Sequence, residues 1–247
     1  MKPRTITVGG ICSGMGGFAL GCQQAGMEVR WEVEIDKSCR KLLAERFPEA
    51  EIHDDMTTFA PTEAHKVNVL TGGTPCQGFS VAGLRKSLSD DRSNLALRFL
   101  HIADALDPDA VLWENVPGVL NTKDNAFGCF LAGLVGADAP LVPPKECGGR
   151  WTDAGMVTGP KRTAGWRVLD SQYFGVAQRR RRVFVVASPR ADLPFQVLFE
   201  PEGLRRDTPP SRQTGQGAAR SPAAGAGGGR IPDLAGTLGG GQSKRRI

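Results

Sequence analysis

The sequence predicts an α/β domain with a mostly parallel sheet and helices on both faces. Three observations lead to this prediction. Short apolar runs alternate with helical patterns through the first half of the chain, a glycine-rich turn follows the first run, and acidic side chains follow two later runs. Alternation of strands and helices is typical of domains with a parallel sheet, because each crossover helix covers one face of that sheet.

The predicted elements follow one another at short intervals. Apolar runs predict strands at residues 6–11, 29–33, 67–70, 110–113 and 183–187, and helical patterns predict helices at residues 18–25, 37–47 and 95–106. The last helix has the clearest periodicity. Leu95, Phe99, Ile102 and Leu106 recur at helical spacing and therefore share one face.

Two stretches interrupt the alternation. Residues 136–165 are rich in Gly and Pro and predict an inserted loop. Residues 201–230 are dense in Pro, Gly, Ala and Arg, a composition typical of a flexible surface segment. We therefore predict one domain over residues 1–190 and a flexible segment over residues 191–247.

The composition is ordinary for a globular protein, with 40% hydrophobic residues among 247. No apolar run is long enough to span a bilayer, and the N-terminal stretch MKPRTITVGG does not resemble a signal peptide. Lys and Arg outnumber Asp and Glu by 31 to 26, so the net charge of +5 has the sign that suits a polyanionic partner. We expect a cytoplasmic enzyme that makes no contact with membranes.

Six cysteines are spread along the chain, and no two of them form a Cys-x-x-Cys pair. A zinc site is therefore not expected, and no metal is predicted. A secreted disulfide scaffold would be shorter and denser in Cys. We interpret the six as free thiols in a reducing compartment, where a cysteine can serve in catalysis.

The segment Cys12-Ser-Gly-Met-Gly-Gly-Phe18 joins the first strand to the first helix. Its glycines Gly14, Gly16 and Gly17 permit a tight turn and a close approach by a ligand, and the helix N-terminus adds N–H donors. The spacing departs from the G-x-G-x-x-G of dinucleotide-binding proteins. Glu34 ends the second strand about twenty residues on, where an acidic residue can bind ribose hydroxyls. A turn without a ligand, a nicotinamide cofactor and S-adenosylmethionine all stay open at this point.

Cys76 lies in the loop Thr71-Gly-Gly-Thr-Pro-Cys-Gln-Gly-Phe-Ser80, which follows the strand at 67–70. In open α/β sheets, ligands bind beside the loops at the carboxyl ends of the strands. A thiol exposed there can act as a nucleophile once it is deprotonated. The alternative is a buried packing cysteine, as most cysteines are.

Glu114 follows the strand at 110–113, within Glu114-Asn-Val-Pro117. A carboxyl group at this place is either solvated at the rim of the sheet or directed at a ligand. If it is protonated, it can donate a hydrogen bond to a ring nitrogen.

The run Gln178-Arg-Arg-Arg-Arg182 leads into the strand at 183–187. Because side chains alternate along a strand, Arg180 and Arg182 should share one face and Arg179 and Arg181 the other. One pair could hold a phosphate or a carbonyl oxygen. The alternative is a solvated basic patch.

Taken together, these motifs resemble the DNA cytosine-5 methyltransferase family in its bacterial and phage form. The Pro-Cys-Gln-x-Phe-Ser loop, the Glu-Asn-Val strand end and the Gln-x-Arg-x-Arg strand occur in that family's order, over about residues 5–187. Residues 78–92, which end in Asp90-Asp-Arg92, resemble the loop that closes over DNA. The resemblance implies a Rossmann-like, S-adenosylmethionine-dependent methyltransferase fold, with residues 1–190 as its catalytic domain.

The resemblance also implies a chemistry. Cys76 would add as a thiolate to carbon 6 of a cytosine flipped out of double-stranded DNA, and Glu114 would protonate or hydrogen-bond ring nitrogen 3. Arg180 and Arg182 would hold the base carbonyl and a nearby phosphate. S-adenosylmethionine would give its methyl group to carbon 5. A monomer is expected, with a cognate restriction endonuclease as a candidate partner.

The family's cofactor contacts fall on nine positions of this sequence: Gly14, Gly16, Phe18, Glu34, Ile35, Asp55, Met56, Pro75 and Leu95. Glu34 matches the ribose ligand, and Ile35 matches a contact with adenine. Asp55 matches the acidic residue near the adenine amino group. Cys12 departs from the pattern, since many members carry Phe there.

The C-terminal part departs further from the family. Members usually continue with a target-recognition region, a motif like Arg-x-Leu-Thr-x-x-Glu-Cys and a Gly-Asn-Ser segment, and none of these occurs here. Residues 191–247 are interpreted as the start of an incomplete recognition region. The alternatives are therefore an inactive, truncated remnant or a related RNA cytosine-5 methyltransferase. A nicotinamide oxidoreductase would leave Cys76, Glu114 and the arginines unexplained.

Overall fold

A computed structural model of the chain describes residues 5–75 and 94–199. Cys76, the Asp90–Arg92 motif and residues 200–247 lie outside the described residues. The described strands are β1 (Thr7–Ile11), β2 (Glu28–Val33), β3 (Glu51–His53), β4 (Val69–Gly72), β5 (Ala110–Asn115), β6 (Ala154–Thr158), β7 (Thr163–Asp170) and β8 (Arg181–Ser188). The described α-helices are α1 (Gly17–Gln24), α2 (Lys37–Arg46), α3 (Leu95–Leu106), α4 (Ala126–Val135) and α5 (Leu193–Leu198).

The strands form a single eight-stranded sheet in the order β3-β2-β1-β4-β5-β8-β7-β6. Strands β1 to β5 pair in parallel, whereas β8 is antiparallel to β5, β7 to β8 and β6 to β7. The predicted α/β fold with a mostly parallel, Rossmann-like sheet is confirmed. The strand order reverses at β1, which lies between β2 and β4, and such a switch point opens a crevice at the carboxyl ends of the strands.

Local sequence explains where the two longer crossover helices begin. Asp36 caps α2 by accepting a hydrogen bond from Cys39 N–H at 2.8 Å, and Asn94 caps α3 by accepting one from Leu97 N–H at 3.1 Å. Short polar side chains at this position satisfy backbone donors that the helix leaves unpaired. Each cap therefore fixes the residue at which its helix begins.

The buried apolar side chains form two separate clusters. The larger includes the side chains of α3 and α4, with Trp113 of β5 stacked on Phe130 at 4.2 Å between ring centroids. The smaller lies beneath α1 and α2 and contains Ala19, Leu43 and Phe47. Two clusters are expected when helices cover both faces of a sheet. None of the described helices has the length and apolar character that crossing a membrane would require.

The predicted loop at residues 136–165 is wrong in its second half. Residues 154–158 form β6 and residues 163–165 begin β7, and the two strands pair as an antiparallel hairpin. Glycine is used there for packing, because a Cβ at Gly155 would lie 2.2 Å from the ring of Trp166. A composition rich in Gly therefore conceals a strand that lies close against an indole ring.

The predicted flexible segment does not begin at residue 191. Residues 193–198 form α5, whose Pro194 and Leu198 are buried, and Arg167 of β7 donates a hydrogen bond to Leu198 O at 2.8 Å. The helix packs because its two buried side chains lie over Gly165 of β7, where a Cβ would come within 3.2 Å of Pro194 and 3.4 Å of Leu198. Six residues are too few for a helical periodicity to be recognised in the sequence.

Candidate active site

Most of the predicted site residues that the structure describes lie at one edge of the sheet. The loops after β1, β2, β3, β4 and β5 all leave from this edge, because these strands are parallel. Strand β8 runs the opposite way, so its first residues reach the same edge. Two groups of side chains result: one around Glu34 on β1 to β3, and one around Glu114 on β5 and β8.

The glycine turn after β1 adopts the conformation that its glycines allow. Gly14 and Gly16 have φ angles of 54° and 80°, in the left-handed region that favours glycine. A Cβ at Gly16 would lie 2.8 Å from side-chain atoms of both Leu43 and Phe47. Gly16 therefore lets α2 pack directly against the turn, a structural role beside the predicted cofactor contact.

Glu34 is held by backbone donors on both of its carboxylate oxygens. Oε2 accepts a hydrogen bond from Gly14 N–H at 2.7 Å, and Oε1 accepts one from Asp36 N–H at 2.9 Å. The residue is 9% exposed. The carboxylate thus links the end of β2 to the glycine turn and is fixed in place before any ligand arrives.

The other residues predicted beside adenine differ in their exposure. The side chain of Ile35 is 75% exposed, so this apolar surface is open at the mouth of the crevice. Asp55 accepts a hydrogen bond from Thr57 N–H at 2.8 Å. Met56 is buried, and its sulfur lies 3.5 Å from Cys12 Sγ. Met56 therefore forms part of the floor, whereas Ile35 forms part of the rim.

Cys12 lies between two of the predicted cofactor ligands. Burial, together with the negative charges of Glu34 and Asp55, raises the pKa of its thiol to about 11. A thiol with such a pKa stays protonated at neutral pH and is a poor nucleophile. Cys12 contributes a small apolar wall at the place where many family members carry Phe.

Pro75 and Leu95 flank the segment that lies outside the described residues. Pro75 is exposed just after β4, and Leu95 is half-buried at the start of α3. One turn further along α3, Arg98 donates a hydrogen bond from Nε to Met56 O at 3.0 Å. Sequence reasoning missed Arg98, which ties α3 to the loop that carries Asp55 and Met56.

Glu114 is bracketed by the two arginines that strand alternation placed on one face. Its Oε1 lies 3.0 Å from Arg182 Nε and 3.5 Å from Arg180 Nη2. The side chains of Glu114 and Arg182 are each 23% exposed, whereas that of Arg180 is 51% exposed. We call these three residues the Glu114 cluster, in which two guanidinium groups bracket one carboxyl group.

The antiparallel register explains how the Glu114 cluster forms. Glu114 stands opposite Phe184 and Asn115 opposite Val183, so the residues just before Val183 extend past the end of β5. The cluster opens into a cavity of about 260 Å³ whose walls also include Leu169, Ser171, Phe174 and Phe184. Sequence reasoning did not find these walls, because most of them come from the strand and turn that precede β8.

The other two arginines of the run point away from this cavity. Arg181 forms an ion pair with Asp153 at 2.8 Å. Arg179 and Arg181 line a different cavity together with Arg167 and Tyr173. The alternation predicted for the four arginines is therefore seen in their contacts.

Hydrogen bonds fix the chain where it leaves β4 towards residue 76. Asn115 Nδ2 donates to Thr74 O at 2.9 Å, and Trp113 Nε1 donates to Thr74 Oγ1 at 3.0 Å. Thr74 is fully buried. Both donors belong to β5, so the last described residues of this loop lie against the end of the strand that carries Glu114. Sequence reasoning missed Thr74. The only signal for this residue was its position two residues before Cys76.

The Glu34 and Glu114 regions adjoin each other. The ring of Phe18, next to the glycine turn, meets the ring of Phe184 edge-on at 6.2 Å between centroids. A Cβ at Gly73 would lie 3.7 Å from Glu114 Oε2 and 3.9 Å from Cys12 O. A ligand beside the glycine turn and one in the 260 Å³ cavity would thus be separated by little more than a side chain.

Comparison with known protein families gives a match to C-5 cytosine-specific DNA methylases over residues 6–134. A relative named DNA N-6-adenine-methyltransferase, from Escherichia phage P1, is 44% identical over 85% of this chain and 32% of its own length. Type II methyltransferase M.AquIA of Picosynechococcus is 33% identical, over 71% of this chain and 69% of its own. Type II methyltransferase M.Eco47II of Escherichia coli is 37% identical, over 78% and 42%. This chain therefore spans between about a third and two thirds of the length of these relatives.

Solved structures share the fold. A DNMT2 variant of Spodoptera frugiperda superposes with a TM-score of 0.54 at 23% identity, covering 76% of this chain and 51% of that one. The methyltransferase EhMeth of Entamoeba histolytica superposes with a TM-score of 0.53 at 16% identity, covering 83% and 57%. At these identities the superpositions show a shared fold and nothing more.

Proposed function

Because this chain belongs to the C-5 cytosine-specific DNA methylase family, we propose that it transfers a methyl group from S-adenosylmethionine to carbon 5 of cytosine in double-stranded DNA. The Glu114 cluster carries this proposal. A carboxyl group between two arginines, in a cavity that adjoins a glycine turn, is suited to hold a pyrimidine ring next to a methyl donor.

Carbon 5 of an aromatic pyrimidine is a weak nucleophile, so the reaction needs activation of the ring. In the proposed mechanism, the Cys76 thiolate forms a bond to carbon 6 while Glu114 protonates or hydrogen-bonds nitrogen 3. Electron density then moves to carbon 5, which takes the methyl group from S-adenosylmethionine. S-adenosylhomocysteine is released as the second product. A base removes the carbon 5 proton, and the returning electron pair expels Cys76 as a thiolate.

The two arginines have different tasks in this mechanism. Arg182 approaches Glu114 more closely and is less exposed, so we assign it to holding the carboxyl group and the base carbonyl. Arg180 is more exposed and suits a phosphate of the flipped nucleotide. Extrusion of the base costs a few kcal/mol, which contacts elsewhere on the DNA offset.

On the cofactor side, Glu34 would accept hydrogen bonds from the ribose hydroxyls, and the exposed face of Ile35 would lie against adenine. Gly14, Gly16 and Phe18 would approach the methionine part, with Asp55 near the adenine amino group. Pro75 and Leu95 would complete the pocket. The fixed carboxylate of Glu34 supports this assignment, because an acceptor that is already oriented loses little freedom on binding.

A second candidate is methylation of the exocyclic N6 of adenine, which the name of the phage P1 relative suggests. That chemistry transfers the methyl group directly to an amine and needs neither a thiol nucleophile nor protonation of a ring nitrogen. It would leave the Pro-Cys-Gln loop and the Glu114 cluster without a task. The aligned region also covers only 32% of that relative, so its name can rest on the remainder.

The test is transfer of labelled methyl groups to unmethylated DNA, followed by analysis of the nucleosides. We expect 5-methylcytosine as the product with the parent protein, and no product with Cys76→Ala. N6-methyladenine as the product would contradict the proposal.

A trapping experiment addresses the covalent step separately. DNA that contains 5-fluorocytosine should accumulate an adduct with the parent protein, because fluorine cannot leave as a proton does. Cys147→Ala, which removes an exposed cysteine far from the predicted motif, is the matched control and should trap DNA normally. Equal trapping by Cys76→Ala and the parent would show that another residue is the nucleophile.

A further inference from the structure

Two histidines and a glutamate meet at the outer edge of the sheet, away from the Glu114 cluster. Glu51 and His53 are alternate residues of the edge strand β3, and His65 ends the short helical turn Glu63–His65. One ligand atom from each residue lies within 4.8 Å of the other two. Alternate residues of a strand share a face, which explains why the first two side chains meet.

The distances are close to those of a metal site. Glu51 Oε2 lies 3.6 Å from His53 Nε2 and 3.8 Å from His65 Nε2. In a tetrahedral zinc site with bonds of about 2.0–2.1 Å, ligand atoms stand about 3.3–3.4 Å apart. The side chain of Glu51 is 72% exposed, so a small rotation can bring its carboxylate closer to both imidazoles.

The imidazole rings are held in place by aromatic neighbours. The ring of Phe59 lies 4.8 Å from that of His53 and 5.0 Å from that of His65, between centroids. Trp31 Nε1 donates a hydrogen bond to His65 O at 2.9 Å. Rings that are already oriented favour metal binding, because supporting contacts fix the direction of the ligand atom.

His53 supplies an independent observation. Its Nε2 is buried and has no hydrogen-bond partner within 3.5 Å in the part of the chain that the structure describes, since even Glu51 Oε2 lies 3.6 Å away. Buried polar atoms without a partner are rare, because such an atom loses its hydrogen bond to water and gains none in return. A metal ion between His53 and Glu51 would satisfy this nitrogen.

We propose that Glu51, His53 and His65 bind a divalent transition-metal ion of the zinc class, with water in the remaining positions. Two imidazoles and a carboxylate are a known zinc ligand set, and the exposed Glu51 leaves the site open to solvent. His65 Nδ1 now accepts from Thr62 N–H and lies 2.9 Å from Thr62 Oγ1. When the metal takes Nε2, the ring proton resides on Nδ1, which then donates a hydrogen bond to Thr62 Oγ1 and no longer accepts one from Thr62 N–H.

The site is separate from the methyl-transfer chemistry but adjoins its cofactor side. His53 O accepts a hydrogen bond from Glu34 N–H at 3.1 Å, and Asp55 is two residues further along. The sequence prediction of no metal rested on cysteine spacing and did not weigh the histidines. Binding can therefore be tested whether or not the chain methylates DNA.

The chain has only three histidines, which makes the test direct. The full chain, purified without a histidine tag, is titrated with Zn²⁺ by calorimetry, and its histidine ring signals are followed by NMR. We expect one ion per chain, with shifts of His53 and His65 and none of His101. Glu51→Gln and His65→Gln should each weaken binding at least tenfold, whereas His101→Gln should leave it unchanged.

Cobalt(II) gives a second readout that does not depend on folding of the variants. The spectrum of the parent protein with Co²⁺ should show ligand-field bands without an intense thiolate charge-transfer band. A strong thiolate band would place the metal on cysteines and overturn the proposal. Absence of binding up to millimolar Zn²⁺, or unchanged affinity in a folded Glu51→Gln variant, would overturn it as well.

Discussion

Glu34 and Glu114 end two strands at the same edge of the sheet, yet their carboxylates are held in opposite ways. Glu34 is nearly buried and accepts hydrogen bonds from two backbone N–H groups. Glu114 is partly exposed and pairs with two guanidinium groups. Backbone donors fix a position, whereas side-chain cations respond when a charged ligand arrives. The difference suggests that Glu34 serves ground-state binding and Glu114 serves the chemical step.

We expect the largest effect from Glu114→Gln, which tests the role assigned to Glu114 in this comparison. The variant keeps the shape but loses the proton that the mechanism gives to the ring, and general acid catalysis typically contributes about 10²–10⁴-fold. We expect kcat for methyl transfer to fall by that factor, while the Kd for S-adenosylmethionine stays the same. Steady-state kinetics and calorimetry measure the two quantities. Glu146→Gln, at an exposed position, is the control. A changed cofactor Kd with normal kcat would reverse the assigned roles.

Glu32 adds a third carboxyl group, with neither the backbone donors of Glu34 nor the arginines of Glu114. Burial raises its pKa from 4.5 to about 7, against a smaller lowering by a hydrogen bond with Ser13. Because the pKa of Glu32 is higher in the folded state, its uncharged form favours folding. This contribution to stability is complete below pH 4.5 and is lost as the pH rises to about 7. Over that window the free energy of unfolding should fall by up to about 3 kcal/mol.

Glu32→Gln tests this directly, because an amide cannot ionise. Urea unfolding at pH 5 to 8 should show a flatter pH dependence than the parent and higher stability at pH 8. Glu28→Gln, an exposed change on the same strand, should leave the pH dependence as it is. An unchanged slope in Glu32→Gln would mean that Glu32 is already ionised when folded.

Glu34→Ala is expected to have the next largest effect. Loss of a charged acceptor should weaken binding of S-adenosylmethionine by about 1.5–3 kcal/mol, roughly tenfold or more in Kd. The variant also leaves Gly14 N–H and Asp36 N–H without their acceptor, so a lower melting temperature should accompany the change. Unchanged affinity in a folded variant would remove Glu34 from the cofactor site, and tighter binding of a nicotinamide cofactor would refute the family's chemistry for this chain.

The smallest effect concerns the glycines next to Glu34. Gly16→Ala introduces a Cβ in the left-handed region and within 2.8 Å of Leu43 and Phe47, so we expect a loss of about 1–3 kcal/mol in stability. Gly17→Ala, whose Cβ would meet nothing within 4 Å, should change stability by less than about 1 kcal/mol. Thermal unfolding of the pair measures the difference, and equal values would show that the turn relaxes.

The region around Glu34 could be predicted more completely from the sequence than the region around Glu114. The glycine turn and Glu34 are separated by about twenty residues in one βαβ unit, a local arrangement with a known physical reason. The common face of Arg180 and Arg182 also followed from alternation along β8. Their meeting with Glu114 did not follow, because it depends on antiparallel pairing between β5 and a strand far along the chain.

Two missed elements show why the remainder was hidden. Helix α4 is buried along nearly its whole length, so its sequence AFGCFLAGLV has no polar face from which a helical period could be read. The β6–β7 hairpin lies in a segment whose glycines suggested a loop. In both cases the pattern is set by packing against distant residues, which the local sequence does not record.

The antiparallel insertion of β8 also has a consequence for folding kinetics. Val111 of β5 pairs with Ala187 of β8, so closing the sheet brings together residues far apart in the chain. Contacts of long sequence separation form late and slow folding, since the loop entropy is lost before the contact is gained. The glycine turn can form as soon as the first two strands pair. We therefore expect a nascent chain to acquire its cofactor side early and its Glu114 cluster only after Ser188 has been synthesised, with the edge of β5 exposed to misassembly in between.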